Sequence, residues 1–534
     1  MISFNVHSNH SLLKSALTID NIVDFAEQCG SKYAALADIN TMSGLIQFTK
    51  AAESKKIKPI LGAYIDSPND KKAYVIFLAK NNSGYSELCK LITARKLDDK
   101  FSLLKSVENC SDNLFMLTSS LNLLKQIHFT ENIHKNLFIE LIITEKQKKQ
   151  TRLLYNFSLE NNIKIVASHP AYFLKQNDYD FYKVIAAIGK NKTVENLESG
   201  DLIDKEYFLI RPEEFSSLWK SLPEAVNNAD YIADNCNVNL ELGKYKFPKY
   251  SVPNDETAHS FLEKIARRGL SERYKPVTEK ALKQLDEELK VIDEMGFSNY
   301  FLIVWDIVRE ARKRNMITVG RGSAANSIVA YCLNLTQVEP IKYNLYFERF
   351  LNKGRSSPPD VDIDFSWKER DQIIKYVFDK YGYDHVAMIS TTVTFRARSA
   401  FRETAKAFGI GDREISKFSK LIPWTSAKNL GKISFVAPEA KSLDFNIEPW
   451  RTIVNFAEQL AGFPRHLSIH PSGLLITEKP ITNYTALEYA KNKGLGLIIT
   501  QPDMYSIEDL GLVKIDLLSQ RGLGVLRDTL NNIK

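Results

Sequence analysis

At 534 residues the chain has room for several hydrophobic cores, on the scale of three or four ordinary domains. Its 25% charged and 44% hydrophobic residues exclude a disordered chain, and no apolar run approaches the roughly 20 residues that span a bilayer. The formal charge of +7 is concentrated: between Arg309 and Lys428 stand 21 Lys and Arg against 13 Asp and Glu, which suits a polyanion groove or a solvated basic surface. Five scattered cysteines with no C-x-x-C pair, and no signal peptide, point to a cytoplasmic, reducing location and away from structural zinc.

Taken in chain order, the first part alternates strand-like and helix-like segments. Apolar runs at Ile2–Val6, Tyr33–Ala37, Ile57–Ala63, Tyr74–Ala79, Leu114–Leu117, Leu137–Ile143 and Ile163–Ala167 read as buried strands. Asn21–Cys29, behind Thr18 and ended by Gly30, reads as a helix. Repeated β-α units predict a parallel sheet or barrel with a site at the strand C-termini. Around Gly243–Pro253 the run KYKFPKYSVPND reads as a linker, and Thr257–Arg314 as mostly helix. A short strand at Ile317–Val319 follows, then Thr394–Leu421 as helix. Leu474–Thr477, Gly496–Thr500 and Leu512–Leu517 return to strand.

Within Pro359–Phe365, three carboxylates (Asp360, Asp362, Asp364) alternate with Val361, Ile363 and Phe365. On a strand all three acids share one face, about 7 Å apart, and repel. Such a ledge suits either a solvated edge strand or a hard cation held by oxygen ligands. Gly320–Ser327 (GRGSAANS) lies between a strand and the apolar run Ile328–Leu335, the setting in which a glycine turn and helix N-terminus present N–H groups to phosphate. Ser323 could cap that helix or donate to a phosphate, and Arg321 adds charge; a plain structural turn is the other reading. In Val513–Leu517, Lys514 and Asp516 share a face, either as a surface pair or as a phosphate contact and a further metal acid. Arg398 and Arg402 stand four apart on a helix, where they would follow a phosphate backbone or face solvent. His466 and His470 have no further ligand at metal spacing.

In this order the segments VGRGSAANSIVAYCLNLT, FERFLN, PPDVDIDF, TFRARSAFRE, RHLSIHPSG and GLVKIDLL resemble the alpha subunit of bacterial DNA polymerase III, the C-family DNA polymerases, over nearly the whole chain. The resemblance implies an α/β and α+β multidomain fold: a PHP-type β/α barrel over 1–245, linker helices and the first part of a polymerase-beta-like nucleotidyltransferase palm over 246–390, an inserted helical thumb over 391–470, and the second part of the palm over 471–534. It implies a DNA-directed DNA polymerase that extends a primer 3′-OH with dNTPs by two-metal phosphoryl transfer. Asp362, Asp364 and Asp516 would be catalytic and hold two Mg²⁺ ions, with Asp360 a conformational acid. Gly322, Ser323, Lys514, Arg321, Arg349 and Arg355 would grip nucleotide phosphates, and Arg398 and Arg402 would bind DNA. Partners implied are primer–template DNA, dNTPs and other replisome subunits, with no membrane.

The PHP metal set is eroded. Asn5-Val6-His7 stands where the family has His-x-His, Asp38-Ile39 where it has Asp-His, and Ala63 follows Gly62 where an acid is expected. Ser168-His169-Pro170-Ala171 stands for a further ligand pattern. With only His7, Asp38 and His169 kept, the expectation is a structural barrel without a metal cluster or proofreading. The family is commonly about twice as long, so a fragment, weak or inactive alone, is expected. The alternatives are a non-catalytic DNA-binding accessory remnant and, less favoured, a barrel phosphoesterase.

Overall fold

The structure, a computed structural model, describes residues 3–253, 255–352, 354, 359, 361–490 and 497–533. Two sheets organise it. The first contains β1 (Tyr33–Ile39), β2 (Lys58–Asp66), β3 (Tyr74–Ala79), β4 (Leu114–Thr118), β5 (Leu137–Ile142) and β6 (Ile165–Ser168), in that spatial order. Runs such as YVIFLA and LFMLT are apolar throughout because both faces of these strands are covered, alternate residues entering two separate clusters. The helix Ile19–Gln28 starts where the sequence places its cap, with Thr18 and Asn21 exchanging side-chain-to-backbone hydrogen bonds. The sheet is mixed, not parallel throughout: a hairpin after β2 sets β3 antiparallel to both neighbours, while the remaining pairs are parallel. Residues 5–7 bridge its two ends. Ala37 N–H donates to the Val6 carbonyl (2.9 Å), His7 N–H to the Ala171 carbonyl (3.1 Å) and Ala171 N–H to the Asn5 carbonyl (2.8 Å), curling the sheet into a barrel.

The second sheet is built from β7 (Thr318–Arg321), β8 (Asp362–Ser366), β9 (Val386–Thr394), β10 (Pro464–Ile476), β11 (Leu487–Tyr489), β12 (Ile498–Asp503) and β13 (Lys514–Gln520), in the order β11-β12-β9-β10-β13-β8-β7. Helices Ala258–Arg273, Glu279–Glu294, Ser298–Lys313 and Arg370–Tyr381 share its main core, where Ile363, Phe365, Ile515 and Leu517 meet Tyr300 and Phe301. The segment read as a linker is packed: Lys246 N–H donates to the Gly511 carbonyl at 2.8 Å, and Tyr245, Phe247 and Tyr250 lean on this core. Between β9 and β10, helices Ala397–Ala407, Asp412–Leu421 and Trp450–Gln459 form a separate core around Phe401 and Trp450, which also takes Phe181 and Ile185 from the barrel side. No helix among the described residues is long and apolar enough to cross a membrane.

Candidate active site

Strand pairing brings the sequence-distant acids together. Asp362 lies directly opposite Asp516 on the parallel neighbour β13 and directly opposite Arg321 on the antiparallel neighbour β7. Gly473 of β10 faces Asp516 from its other side. Side chains in one such row share a face, so Arg321, Asp362 and Asp516 stand side by side, with Asp364 two residues further along the same face. Arg321 Nε is 3.7 Å from Asp362 Oδ2 and 3.6 Å from Asp364 Oδ1. Gln520 Nε2 donates to Asp364 Oδ1 at 3.3 Å. The side chains become less exposed across the row, 28% for Asp362 and 5% for Asp516.

Asp516 is held by two donors. Lys514 Nζ lies 2.5 Å from Oδ2, and Ser472 Oγ donates to Oδ1 at 2.7 Å. Ser472 gets there by a bulge: between Ile469 and Leu474 the partner strand β9 advances only from Ser390 to Met388, so the intervening residues leave the ladder. His470 Nδ1 accepts the Gly473 N–H at 2.7 Å and fixes that bulge, while a β-carbon on Gly473 would stand 2.8 Å from the same nitrogen. Arg370 clamps the strands from below, Nε donating to the Leu517 carbonyl and a terminal nitrogen to the Pro471 carbonyl, each at 2.6 Å. Sequence reasoning passed over Ser472, Arg370 and Gln520. The His-Pro-Ser-Gly run before a strand was the available signal for the bulge.

The glycine turn lies at the open edge of this row. Gly322, at φ +70°, starts a 3₁₀ turn, Gly322–Asn326, with the Asp362 carboxylate 3.7 Å from where its β-carbon would be. Ser323 does not cap the following helix. That helix, Ile328–Cys332, begins later and is capped by Ser327, whose Oγ accepts from Ala330 N–H at 3.0 Å. Its first amides are also taken: Glu288, buried, accepts from Ser327 Oγ (2.7 Å), Ile328 N–H (3.0 Å) and Val329 N–H (3.1 Å). The helix N-terminus is therefore committed to a protein carboxylate, and only the 3₁₀ turn is left to meet phosphate. Burial pushes the Glu288 carboxyl up to about 7, opposed by those hydrogen bonds.

Arg349 is exposed on the short turn Phe347–Arg349, which packs against the Gly322–Asn326 turn. Arg355 and Asp360 lie outside the described residues. Arg398 and Arg402 are not brought to the row. Arg398 Nε donates to the Ile422 carbonyl, and Arg402 reaches Ser419 (3.2 Å) and Asp412 (3.7 Å), so both tie neighbouring helices together.

In the barrel, His7 and Asp38, two of the three kept residues of the metal pattern, are engaged by neighbouring protein groups. His7 has Nδ1 2.6 Å from the Ala37 carbonyl and Nε2 2.6 Å from Asn5 Oδ1, so both ring nitrogens face protein oxygens at close range. Asp38 accepts from Ser8 N–H (2.6 Å), Ser8 Oγ (2.7 Å) and Ser11 Oγ (2.6 Å), and burial pushes its carboxyl up to about 7. His169 turns to Phe208 with its Nε2 buried and unpartnered. These residues do not fit a metal cluster. Among the described residues no three His, Cys, Asp or Glu side chains are gathered as ligands, and in the second sheet Asp516 is hydrogen-bonded by Lys514 and Ser472.

Comparison with known proteins agrees with this division. Residues 3–188 match the PHP domain family, and residues 260–519 match the family described as the bacterial DNA polymerase III alpha NTPase domain. The chain is 33% identical to DNA polymerase III subunit alpha of Halalkalibacterium halodurans and 32% identical to that of Bacillus subtilis, each alignment covering 100% of this chain and 49% of the relative. It is 30% identical to the error-prone DNA polymerase of Symbiobacterium thermophilum, over 100% of this chain and 52% of that protein. The chain thus spans about half the length of the curated relatives it matches. With both family matches and similarity to these polymerases along the whole of this chain, the chain belongs to the bacterial DNA polymerase III alpha subunit family.

Proposed function

We propose that the face shared by Asp362, Asp364 and Asp516 is the centre of a DNA-directed DNA polymerase that joins dNTPs to a primer 3′-OH on primer–template DNA. The observation that carries this reading is the register that sets Asp516 opposite Asp362 with Arg321 on the far side. An anionic, oxygen-only donor set fits hard divalent ions. Asp362, Asp364 and Asp516 would hold two Mg²⁺, whose chemistry when bound is to lower the pKa of the attacking hydroxyl and to neutralise the leaving pyrophosphate.

The chain's own residues then have distinct tasks. Gly322 brings backbone close to the acids, and the amides of its turn with Ser323 Oγ would meet triphosphate oxygens. Arg321 and Arg349 supply the flanking charge. Lys514, which compensates Asp516, would exchange that carboxylate for a phosphate oxygen, while Ser472 keeps the Asp516 Oδ1 atom oriented. Nucleotide choice would rest on base pairing with the template, and basic side chains would add affinity without sequence preference.

The test is dNTP incorporation by this chain on a primed template, titrated with Mg²⁺. Incorporation should require Mg²⁺ and fall at least about a hundredfold in Asp516→Asn. Equal incorporation by the variant, or incorporation in EDTA, would refute the assignment. Salt-sensitive duplex binding without incorporation in either protein would favour the accessory reading.

A further inference from the structure

On the flank of the barrel, the helix Ile19–Gln28 and the segment Phe208–Phe215 stand either side of the seam where Val6 meets β1, and they do not close on each other. The half-open cleft left between them has a volume of about 80 Å³. Its walls are apolar: Ile22, Phe25 and Ala26 of the helix on one side, Ile210, Pro212 and Phe215 on the other. No Asp, Glu, Lys or Arg is among the described residues that line it.

One group in this lining is unsatisfied. His169, just past β6, is only 5% exposed, and its Nε2 has no hydrogen-bond partner. The Glu206 and Phe208 backbone carbonyls hydrogen-bond the same ring. With Nε2 unpartnered they do so through Nδ1–H, which leaves Nε2 a lone-pair acceptor. Burial lowers the His169 pKa to about 4, so the ring is neutral near pH 7. The other polar side chains of the cleft are already paired. Ser3 Oγ donates to the His169 carbonyl (2.7 Å) and accepts the His169 N–H (3.1 Å), and Ser31 Oγ donates to the Tyr33 carbonyl (2.7 Å) and accepts the Tyr33 N–H (3.3 Å). Tyr33 Oη donates to Asp234. A water against Nε2 would therefore find only the weakly polar Cys29 thiol as a second side-chain partner, where a buried water ordinarily makes about three hydrogen bonds.

We propose that this cleft binds a small neutral ring compound bearing one hydroxyl, the ring against the apolar walls and the hydroxyl donating to His169 Nε2. An apolar enclosure with one placed polar atom is the usual build of a small-molecule site. A purely apolar ligand would leave the buried acceptor unmet, which is costly. An anion would meet an unprotonated nitrogen with no cation in the lining beside it. The site uses none of the second-sheet acids.

The test uses the full chain with phenol as the probe and toluene as a comparator of nearly the same shape. Calorimetric titration should show one phenol bound per chain, at least about tenfold more tightly than toluene. Cys29 lines the cleft and is the one cysteine that is not buried, so its alkylation by iodoacetamide reports occupancy. Saturating phenol should slow that reaction at least about fivefold. In His169→Phe, phenol should lose at least about tenfold in affinity while toluene changes less than about twofold, the toluene showing that the cleft is intact. Should that variant fail to fold, the wild-type preference for phenol and the protection of Cys29 decide the matter by themselves. No saturable phenol binding below about 5 mM, equal affinity for phenol and toluene, an unprotected Cys29, or phenol binding indifferent to His169→Phe would overturn the proposal.

Discussion

Replacing Glu288 with Gln changes the pH dependence of the segment beside the glycine turn, and the size of the change follows from its surroundings. The carboxyl sits buried at the amino end of Ile328–Cys332 and accepts three hydrogen bonds there. Burial raises its pKa from 4.5 to about 7, so the folded state keeps a proton that the unfolded chain releases. The group therefore stabilises most below pH 4.5, and that stability is withdrawn as the pH rises through about 7. Between about pH 5.5 and about pH 8 this amounts to about 2 kcal/mol. Gln has the same shape but offers one acceptor where two oxygens served four donors, Gln284 Nε2 being the fourth, at a cost of about 1–2 kcal/mol that does not vary with pH. Hydrogen exchange of a peptide covering residues 322–335, corrected for intrinsic rates at each pH, gives the local opening free energy. Wild type should lose about 2 kcal/mol over this range while Glu288→Gln stays level, closing the gap between them. Parallel profiles would refute the reasoning.

Three further outcomes follow from the same geometry. Gly322→Ala places a β-carbon at φ +70°, costing about 1–2 kcal/mol by thermal denaturation and raising the KM for dNTP more than it lowers kcat. Lys514→Met leaves the buried Asp516 without its cation and should cost roughly 3 kcal/mol in urea unfolding, with at least a tenfold loss of dNTP affinity. After incubation with Mn²⁺ or Zn²⁺ and desalting, elemental analysis should find less than one ion per chain in the barrel and no exonuclease activity; stoichiometric metal and nuclease activity lost together in His7→Ala would contradict the barrel chemistry described above.

The sequence displayed each piece of the second-sheet site but not the rule that joins them. The alternation in VDIDF and VKIDL shows on which face Asp362, Asp364, Lys514 and Asp516 lie, because a two-residue period is local. That Asp516 stands opposite Asp362 is a register between strands some 150 residues apart, which local pattern does not encode. Val386–Thr394 went unread as a strand although its Thr-rich half is β-branched; Thr391–Thr394 adjoins the helical pattern that follows. The bulge at His470–Ser472 and the long reach of Glu288 to another helix's amides are likewise tertiary, so Ser323 looked like the cap that Ser327 is. Arg398 and Arg402 showed helical spacing but not that the neighbouring helix would occupy them.

The most direct measurement is primer extension by wild type and by Asp362→Asn/Asp364→Asn at matched occupancy, with binding of the same primer–template followed in parallel. The account predicts that extension falls at least about a thousandfold while duplex affinity stays within about twofold, since the acids serve the transfer and the basic residues hold the DNA. Undiminished extension by the double variant would contradict it.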